Sequence, residues 1–591
     1  MRLRWPAGGL VKQWGYQQQA PFTTPDCSNV RPSDVIELRE RGGRRPGLTK
    51  AYASRVSANL VQNLSSVAWI DSNGDRQLSL FGIVNGVPFT IVSGDISSLA
   101  GALLTEAGDE LQTEDSQDIL INDIAFKQTS KTLCAVERSQ KIYVADWGDV
   151  VVTGTDGTIT GNTLTAPSIG DWTSQGINIK RDVILISPRN SSGVETGTFE
   201  MTALGTSVSI DASLTNGACN YTIVPGLKLF TPEFETVGLL TSSNSNIPQN
   251  CHLATLYRDR LMLAGDFIWY ASRQGALTDF DFSAADTDVQ RAIAGNTADA
   301  GLIGEPLTAL ISHSDDYLVF GTENQLWVLR GDPAFGGQLD NLSYEVGILN
   351  AKSWCKLPDT SLLILSRHGV YRLAPGASSY PEPWSNDILP TDLVNVDSSS
   401  YISMGYDVQH RGVHLSITPA AGTGTHYWID TDNRSFWPLT YGNGDHQPTA
   451  IYSFASASAS PRRPLLGSRA GYVYYYDDTA ANDDGTTITG YCVIGPFRLG
   501  DSFHLGLVQE LTATLDRQSE NVTWTLLSGD DAEDVVHNAK TRASGTFTSG
   551  RNRNHSPRVA AGSFALKIEG TGLWSFELAA IVGRFAGRQR Q

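Results

Sequence analysis

Reactive side chains are present in this chain, but their spacing assembles no known reaction centre. The six cysteines (Cys27, Cys134, Cys219, Cys251, Cys355 and Cys492) contain no Cys-x-x-Cys pair. A zinc site or a disulfide framework needs clustered ligands, so this scatter predicts buried free thiols. His410 and His414 are four apart, but the segment reads as a strand, where that offset sets them two pleats apart and predicts no metal site. The Asp-rich stretches Asp71-Ser72-Asn73-Gly74-Asp75, Asp430-Thr431-Asp432-Asn433 and Asp477-Asp478 have the look of calcium loops. None runs to the Glu that closes such a loop. Asp and Asn also favour turns by bonding their own backbone, and turns are the expectation. There is no phosphate loop, no Rossmann glycine fingerprint and no HExxH. In Gly467-Ser468-Arg469-Ala470-Gly471 the serine stands one place early for a nucleophile elbow. A glycosidase pair remains open at this level, because 62 acidic residues always supply candidates and only a fold sets their separation. No Ser-x-Asp-x-Gly-x-x-Trp box of the sialidase propellers occurs. The expectation is a protein that is not an enzyme, with no catalytic residues, cofactor or metal.

The elements that would position any site are strands. Apolar residues at i, i+3, i+4 and i+7 are almost absent. Short runs of Val, Ile, Tyr, Trp and Thr are broken by Gly, Asp, Asn or Ser. One pattern recurs: an apolar strand, a polar turn, then a strand with an aromatic. It occurs as Thr132–Val136 with Lys141–Ala145, Arg260–Ala264 with Ile268–Tyr270, Tyr317–Gly321 with Gln325–Leu329, and Leu362–Leu365 with Val370–Leu373. Looser copies are Val413–Ile417 with His426–Ile429 and Leu465–Gly467 with Tyr472–Tyr474, and a first is Leu78–Phe81 with Phe89–Val92. A spacing of roughly 45–60 residues is that of four-stranded propeller blades, which bury both faces only by stacking around an axis. Trp269, Trp327 and Trp428 recur at one strand position, which favours packing between blades over a sugar platform.

The expected fold class is all-β: a β-propeller core of six to eight blades, an inserted small β-domain and a C-terminal β-sandwich-like domain. The boundaries read as an N-terminal arm and first-blade lead-in over 1–50, blades over 51–162, the insert over 163–226, further blades over 227–488 and the sandwich over 489–591. An array of sandwiches is the competing architecture. The tail from Gly587 reads as frayed, and Ser453–Ser460 as an exposed loop.

Composition agrees with a folded, turn-rich body. The chain has 591 residues, 40% hydrophobic and 18% charged, with 57 glycines and 25 prolines. Lys+Arg 44 against Asp+Glu 62 gives a net charge of -18, which argues against tight wrapping of DNA, since phosphate binding draws on Lys and Arg. No stretch approaches the ~18 apolar residues of a membrane helix. The start, Met1-Arg2-Leu3-Arg4-Trp5, is basic, but Lys12 follows Gly8-Gly9-Leu10-Val11 too soon for a secretory leader.

Three segments carry a resemblance. Gly8-Gly9-Leu10 is followed by Pro25-Asp26-Cys27-Ser28-Asn29-Val30 and then by Glu37-Leu38-Arg39-Glu40-Arg41-Gly42-Gly43-Arg44-Arg45-Pro46-Gly47-Leu48. This series resembles the opening of the tail nozzle proteins of short-tailed bacteriophages, the tail tubular protein B family. Leu277-Thr278-Asp279-Phe280-Asp281-Phe282-Ser283, ahead of Ala309-Leu310-Ile311 and Phe320-Gly321-Thr322-Glu323, is similar to a central segment of that family. The end, Phe576-Glu577-Leu578 with Gly587-Arg588, is similar as well. The resemblance implies a structural virion protein of the phage tail, assembled in the host bacterial cytoplasm. It implies a homo-hexameric ring at the distal tail that docks on the tail adaptor or portal-side proteins, with tail fibres as further neighbours. Double-stranded DNA would pass transiently through its channel during genome ejection, with no membrane insertion by this chain. Six chains would sum to about -108 charges, a wall that repels phosphate. Arg41, Arg44 and Arg45 would then meet acidic partner surfaces. The alternatives are a carbohydrate-acting enzyme on a propeller and a host-receptor-binding tail protein.

Overall fold

The computed structural model describes all residues except 93, 100–125, 128–130, 242–246, 297–302, 378, 455–461, 502–503 and 590–591. Six antiparallel four-stranded sheets and one six-stranded sheet form the successive blades along the chain. Blade 1 comprises Val61–Ile70, Arg76–Val84, Val87–Val92 and Asp95–Ser98. Blade 2 comprises Ala135–Arg138, Lys141–Val144, Lys228–Thr231 and Thr236–Leu239. Blades 3 and 4 start at Leu253–Tyr257 and Leu307–Ser314, and blades 5 and 6 at Trp354–Lys356 and Tyr401–Asp407. Blade 7 has Pro448–Phe454, Arg463–Ser468 and Val473–Asp477, and its fourth strand is Gly47–Lys50 from the far end of the chain.

That borrowed strand closes a ring. A four-stranded sheet with apolar residues on both faces must stack on a neighbour, and each blade does so. Val61, Leu80 and Phe89 of blade 1 share a core with Ala450, Leu465 and Val473 of blade 7. On its other side, blade 1 packs Val67, Phe81 and Ile83 against Ile142, Val144 and Phe230 of blade 2. One cluster continues through blades 2, 3 and 4. Ala309, Ile311 and Val319 of blade 4 meet Leu362 and Ile364 of blade 5. Blades 5 and 6 join through Leu363, Leu365, Ile402 and Leu415, and His414 of blade 6 stacks on Tyr476 of blade 7 at 4.6 Å. The architecture is therefore a seven-bladed β-propeller, and each of the seven copies of the sequence pattern falls in a separate blade. Of the recurring tryptophans, Trp269 packs between blades as expected, whereas the ring contact of Trp428 lies within its own blade. Trp269 faces Phe320 of the next blade at 5.6 Å, and Trp428 lies buried beside His414.

The insert leaves blade 2 between its second and third strands. It consists of Val152–Thr165, Asp182–Pro188, Gly197–Leu204 and Val208–Pro225. The last of these pairs with all three others, so the sheet curls on its own core of Trp172, Ile184, Phe199 and Tyr221. The insert thus begins near residue 152, not 163. Val152–Thr165 alternates like a blade strand, and only its partners tell the two apart.

Two sheets form the C-terminal sandwich. One holds Gly490–Phe497, Ser563–Gly570, Val522–Gly529 and Lys540–Phe547, and the other His504–Leu515, Phe576–Gln589 and Arg551–His555. The N-terminal arm completes both. Arg2–Arg4 pairs with the last strand, and Cys27–Ser28 pairs with Gly490–Phe497. The arm over 1–50 runs on to blade 1 at Val61, but it does more than lead in. It threads the sandwich and then closes blade 7. The tail is paired rather than frayed as far as Gln589, through the strand opposite His504–Leu515. The segment 453–460 lies largely outside the described residues. Among the described residues no helix is long and apolar enough to cross a membrane.

Candidate functional site

A buried cluster of charged side chains lies where the arm crosses blades 6 and 7. Short strands Val30–Arg31 and Gly43–Arg44 form a hairpin that points three arginines inward. Arg45 uses its whole guanidinium. Its Nη1 and Nη2 donate to Asp483 Oδ1 and Oδ2 at 2.9 and 2.7 Å. Its remaining bonds go to Asn29 Oδ1, Pro46 O and Thr440 O. Both members of the pair are fully buried. Burial alone would lower the Arg45 pKa, but the Asp483 carboxylate outweighs it and holds the guanidinium charged. Arg44 has no carboxylate partner. It donates to Gly572 O and Ala481 O at 3.1 and 2.6 Å, and burial with the neighbouring Arg45 charge pushes its pKa down to about 10.

Arg31 is held differently. Its guanidinium carbon lies 4.1 Å over the Trp428 ring and 5.1 Å from that of Tyr476, with no hydrogen-bond partner on any of its nitrogens. Stacking on an aromatic face offsets part of the cost of burying the cation. Burial lowers the Arg31 pKa, opposed by Tyr476, Asp407 and Asp478. Those two carboxylates hold His410: Asp407 Oδ2 lies 2.7 Å from its Nδ1 and Asp478 Oδ1 3.1 Å from its Nε2. With a carboxylate on each nitrogen both can donate, and the His410 pKa rises despite burial. His414, 3.7 Å from Asp407, is instead pushed down to about 4 by burial. Residues 31–40 of the arm and the two turns of blade 6 at 409–411 and 430–433 enclose a cavity of about 160 Å³.

Arg41, Arg44 and Arg45, expected to face a partner, are turned into the chain. Arg41 binds Asp34 and Glu37 within the arm and Asp516 of the sandwich at 2.7 Å, with its side chain 12% exposed. Ring closure and the sandwich need these charges for internal ties, which leaves them unavailable outside. His410 and His414, expected two pleats apart, converge on Asp407, because His410 sits in the turn that folds back over the strand. Among the described residues no group of three or more His, Cys, Asp or Glu side chains could hold a metal. The Asp-rich stretches are turns. Asp71 Oδ1 accepts from the backbone of Asn73 and Asp75, Asp430 Oδ1 from Asn433, and Asp477 Oδ1 from Thr479. All six cysteines are buried free thiols. Sequence reading missed Arg31, Asp407 and Asp483. The partners of Arg31 and Asp483 lie hundreds of residues away, whereas Asp407 meets His410 and His414 close by in the chain, through a turn that strand spacing alone does not show.

No protein-family profile and no curated protein matches this chain. Among solved structures, it is similar to the extracellular domain of a hybrid two-component system from B. thetaiotaomicron, at 10% identity and TM-score 0.34 over 84% of this chain. The chain spans only 49% of that one. It is also similar to Saccharomyces cerevisiae Sqt1, at 8% identity and TM-score 0.36, over 73% of this chain and 99% of that one. For a streptogramin B lyase the values are 9% and 0.35, over 73% and 97%. Likeness at this level assigns no activity, and the ring stands on the strand pairing of this chain.

Proposed function

We propose that the chain is a mechanical component of a short-tailed phage: a tail nozzle protein that assembles six-fold around a passage for DNA. One observation carries the reading. The residues of the N-terminal resemblance are the parts that fasten the body together. Asn29 ties to Thr440 and Thr489, Arg45 to Asp483, and Gly47–Lys50 is the closing strand of blade 7. A wall that must resist internal pressure needs its two ends locked to its ring, and these ties lock arm, propeller and sandwich. The net charge of -18 suits a surface that DNA slides past without adhering. The central segment of the resemblance is anchored too. Buried Arg260 donates to the carbonyls of Ser272, Val289, Gln290 and Arg291 and so gathers the excursion that carries Phe280.

The test is native mass spectrometry and electron microscopy of the purified chain, alone and with the tail adaptor. The expected outcome is a six-membered ring of about 383 kDa, six times the 63.9 kDa chain, with an open axial channel. A monomer that cleaves polysaccharide would overturn the reading in favour of the carbohydrate-acting alternative. A trimer that binds a host surface would favour the receptor-binding one.

A further inference from the structure

Two of the six cysteines face each other across one rung of the sandwich. Cys27 lies in the arm strand Cys27–Ser28, which runs antiparallel to Gly490–Phe497 with Cys27 opposite Cys492 and Ser28 opposite Tyr491. Val493 N donates to Asp26 O at 3.0 Å, which makes the preceding rung the hydrogen-bonded one. Cys27 and Cys492 therefore occupy a non-hydrogen-bonded rung, where opposed Cα atoms approach to about 4.5 Å. Residues opposed on a rung project to the same face, and both cysteines lie in the same buried core, at 3% and 0% exposure. A disulfide spans Cα separations of about 4.4–6.8 Å, so this rung meets the requirement without backbone movement. Among the described residues no other strand register opposes two cysteines.

We propose that Cys27 and Cys492 form a redox-controlled staple, in which oxidation joins their sulfurs and fastens the N-terminal arm covalently to the C-terminal sandwich. The oxidant is a small disulfide such as oxidised glutathione. One cysteine thiolate attacks it, forming a mixed disulfide and releasing one glutathione. The second thiolate attacks the protein sulfur of that mixed disulfide and releases another. The two protein thiols lose two electrons, the glutathione disulfide gains them, and the thiol protons end on the two released glutathiones. Burial, and for Cys27 the neighbouring Cys492, push these thiols well above their ordinary range, so the closed rung exchanges slowly. The bond forms while the arm strand is unpaired, during folding or when the arm opens.

The test uses the full chain. Reduced protein is unfolded in urea, refolded with oxidised and reduced glutathione or with excess reductant, then alkylated under denaturing conditions and peptide-mapped. The expected result in the oxidising arm is a Cys27–Cys492 cross-link and a drop from six alkylated thiols to four. The urea midpoint should also exceed that of the reduced form, a difference that a Cys27→Ala/Cys492→Ala variant abolishes. Full alkylation of both residues, glutathione retained on either, a cross-link to a different cysteine, or an unchanged midpoint despite the cross-link would each overturn the proposal. If the double variant fails to fold, the wild-type map and midpoints decide alone.

Discussion

At the residue scale, this protein concentrates its charge chemistry on internal fastening. A buried ion pair contributes little relative to apolar packing, but breaking one leaves a charge stranded without water. Asp483→Asn should therefore cost about 3–5 kcal/mol, because it strips the fully buried Arg45 of its carboxylate. The surface pair Arg330–Asp340, with side chains 37% and 51% exposed, is the matched control. Asp340→Asn should shift stability by no more than about 1 kcal/mol. Urea denaturation of both variants reads the difference, and equal losses would refute the role assigned to Arg45. The Lys228–Asp146 pair at the root of the insert follows the same logic. Its ammonium donates to Asp146 Oδ2 at 2.6 Å and to the carbonyls of Arg181 and Gly226.

At the element scale, the decisive piece is the four-residue strand Gly47–Lys50. It pairs with Val473–Asp477 from the other end of the chain, and without it blade 7 presents an unpaired edge. Gly47 permits the approach: a Cβ there would meet Asn482 O at 2.1 Å, a backbone atom that cannot swing away. Gly47→Val should displace the strand and expose residues near 47–50 to limited proteolysis. The insert should stay protected, because its core of Trp172, Phe199 and Tyr221 is its own. Gly170→Val, where a Cβ meets nothing within 4 Å, should leave the cleavage pattern unchanged. Gly42 plays a related part beside the arm. Its φ of 72° is left-handed, and a Cβ would strike Trp5 at 2.0 Å. Trp5 itself stacks on Trp437 of blade 6 at 6.0 Å and meets Trp574 of the sandwich edge-on at 5.9 Å. One side chain thus couples three parts of the fold.

At the scale of the whole molecule, stability should depend on pH through histidines buried neutral. Burial pushes His252 and His426 down to about 3 and His414 to about 4. Each binds a proton in the unfolded chain near pH 6.5 but not in the folded one until much lower. Their contribution is fully present above pH 6.5 and is lost as pH falls toward 4. With three such groups the slope reaches about 4 kcal/mol per pH unit below pH 6. His410 has a raised pKa, so its contribution is present below pH 6.5 and lost only as pH rises through the folded value. It opposes the trend by one proton at most. Urea midpoints measured from pH 7.5 to 4.5 should fall steeply on the acid side, and a flat profile would show that these histidines are hydrated.

Strand alternation, turn residues and a blade-length repeat were legible in the chain, because they depend on side chains two to sixty residues apart. They determined the all-β class and pointed to six to eight blades with a C-terminal sandwich-like domain, while an array of sandwiches stayed open. The insert was legible as an interruption, but its start was not, since Val152–Thr165 has the alternation of a blade strand and only its pairing with Val208–Pro225 assigns it. Arg41, Arg44 and Arg45 look like surface charge in sequence, because solvation is the default for arginine. Their burial depends on carboxylates and carbonyls near residues 483, 516 and 572. Tertiary structure alone decided how the ring closes, which cysteines face each other and which charges are spent inside. Those contacts join residues more than 400 positions apart, and a linear pattern holds no record of which distant segments meet.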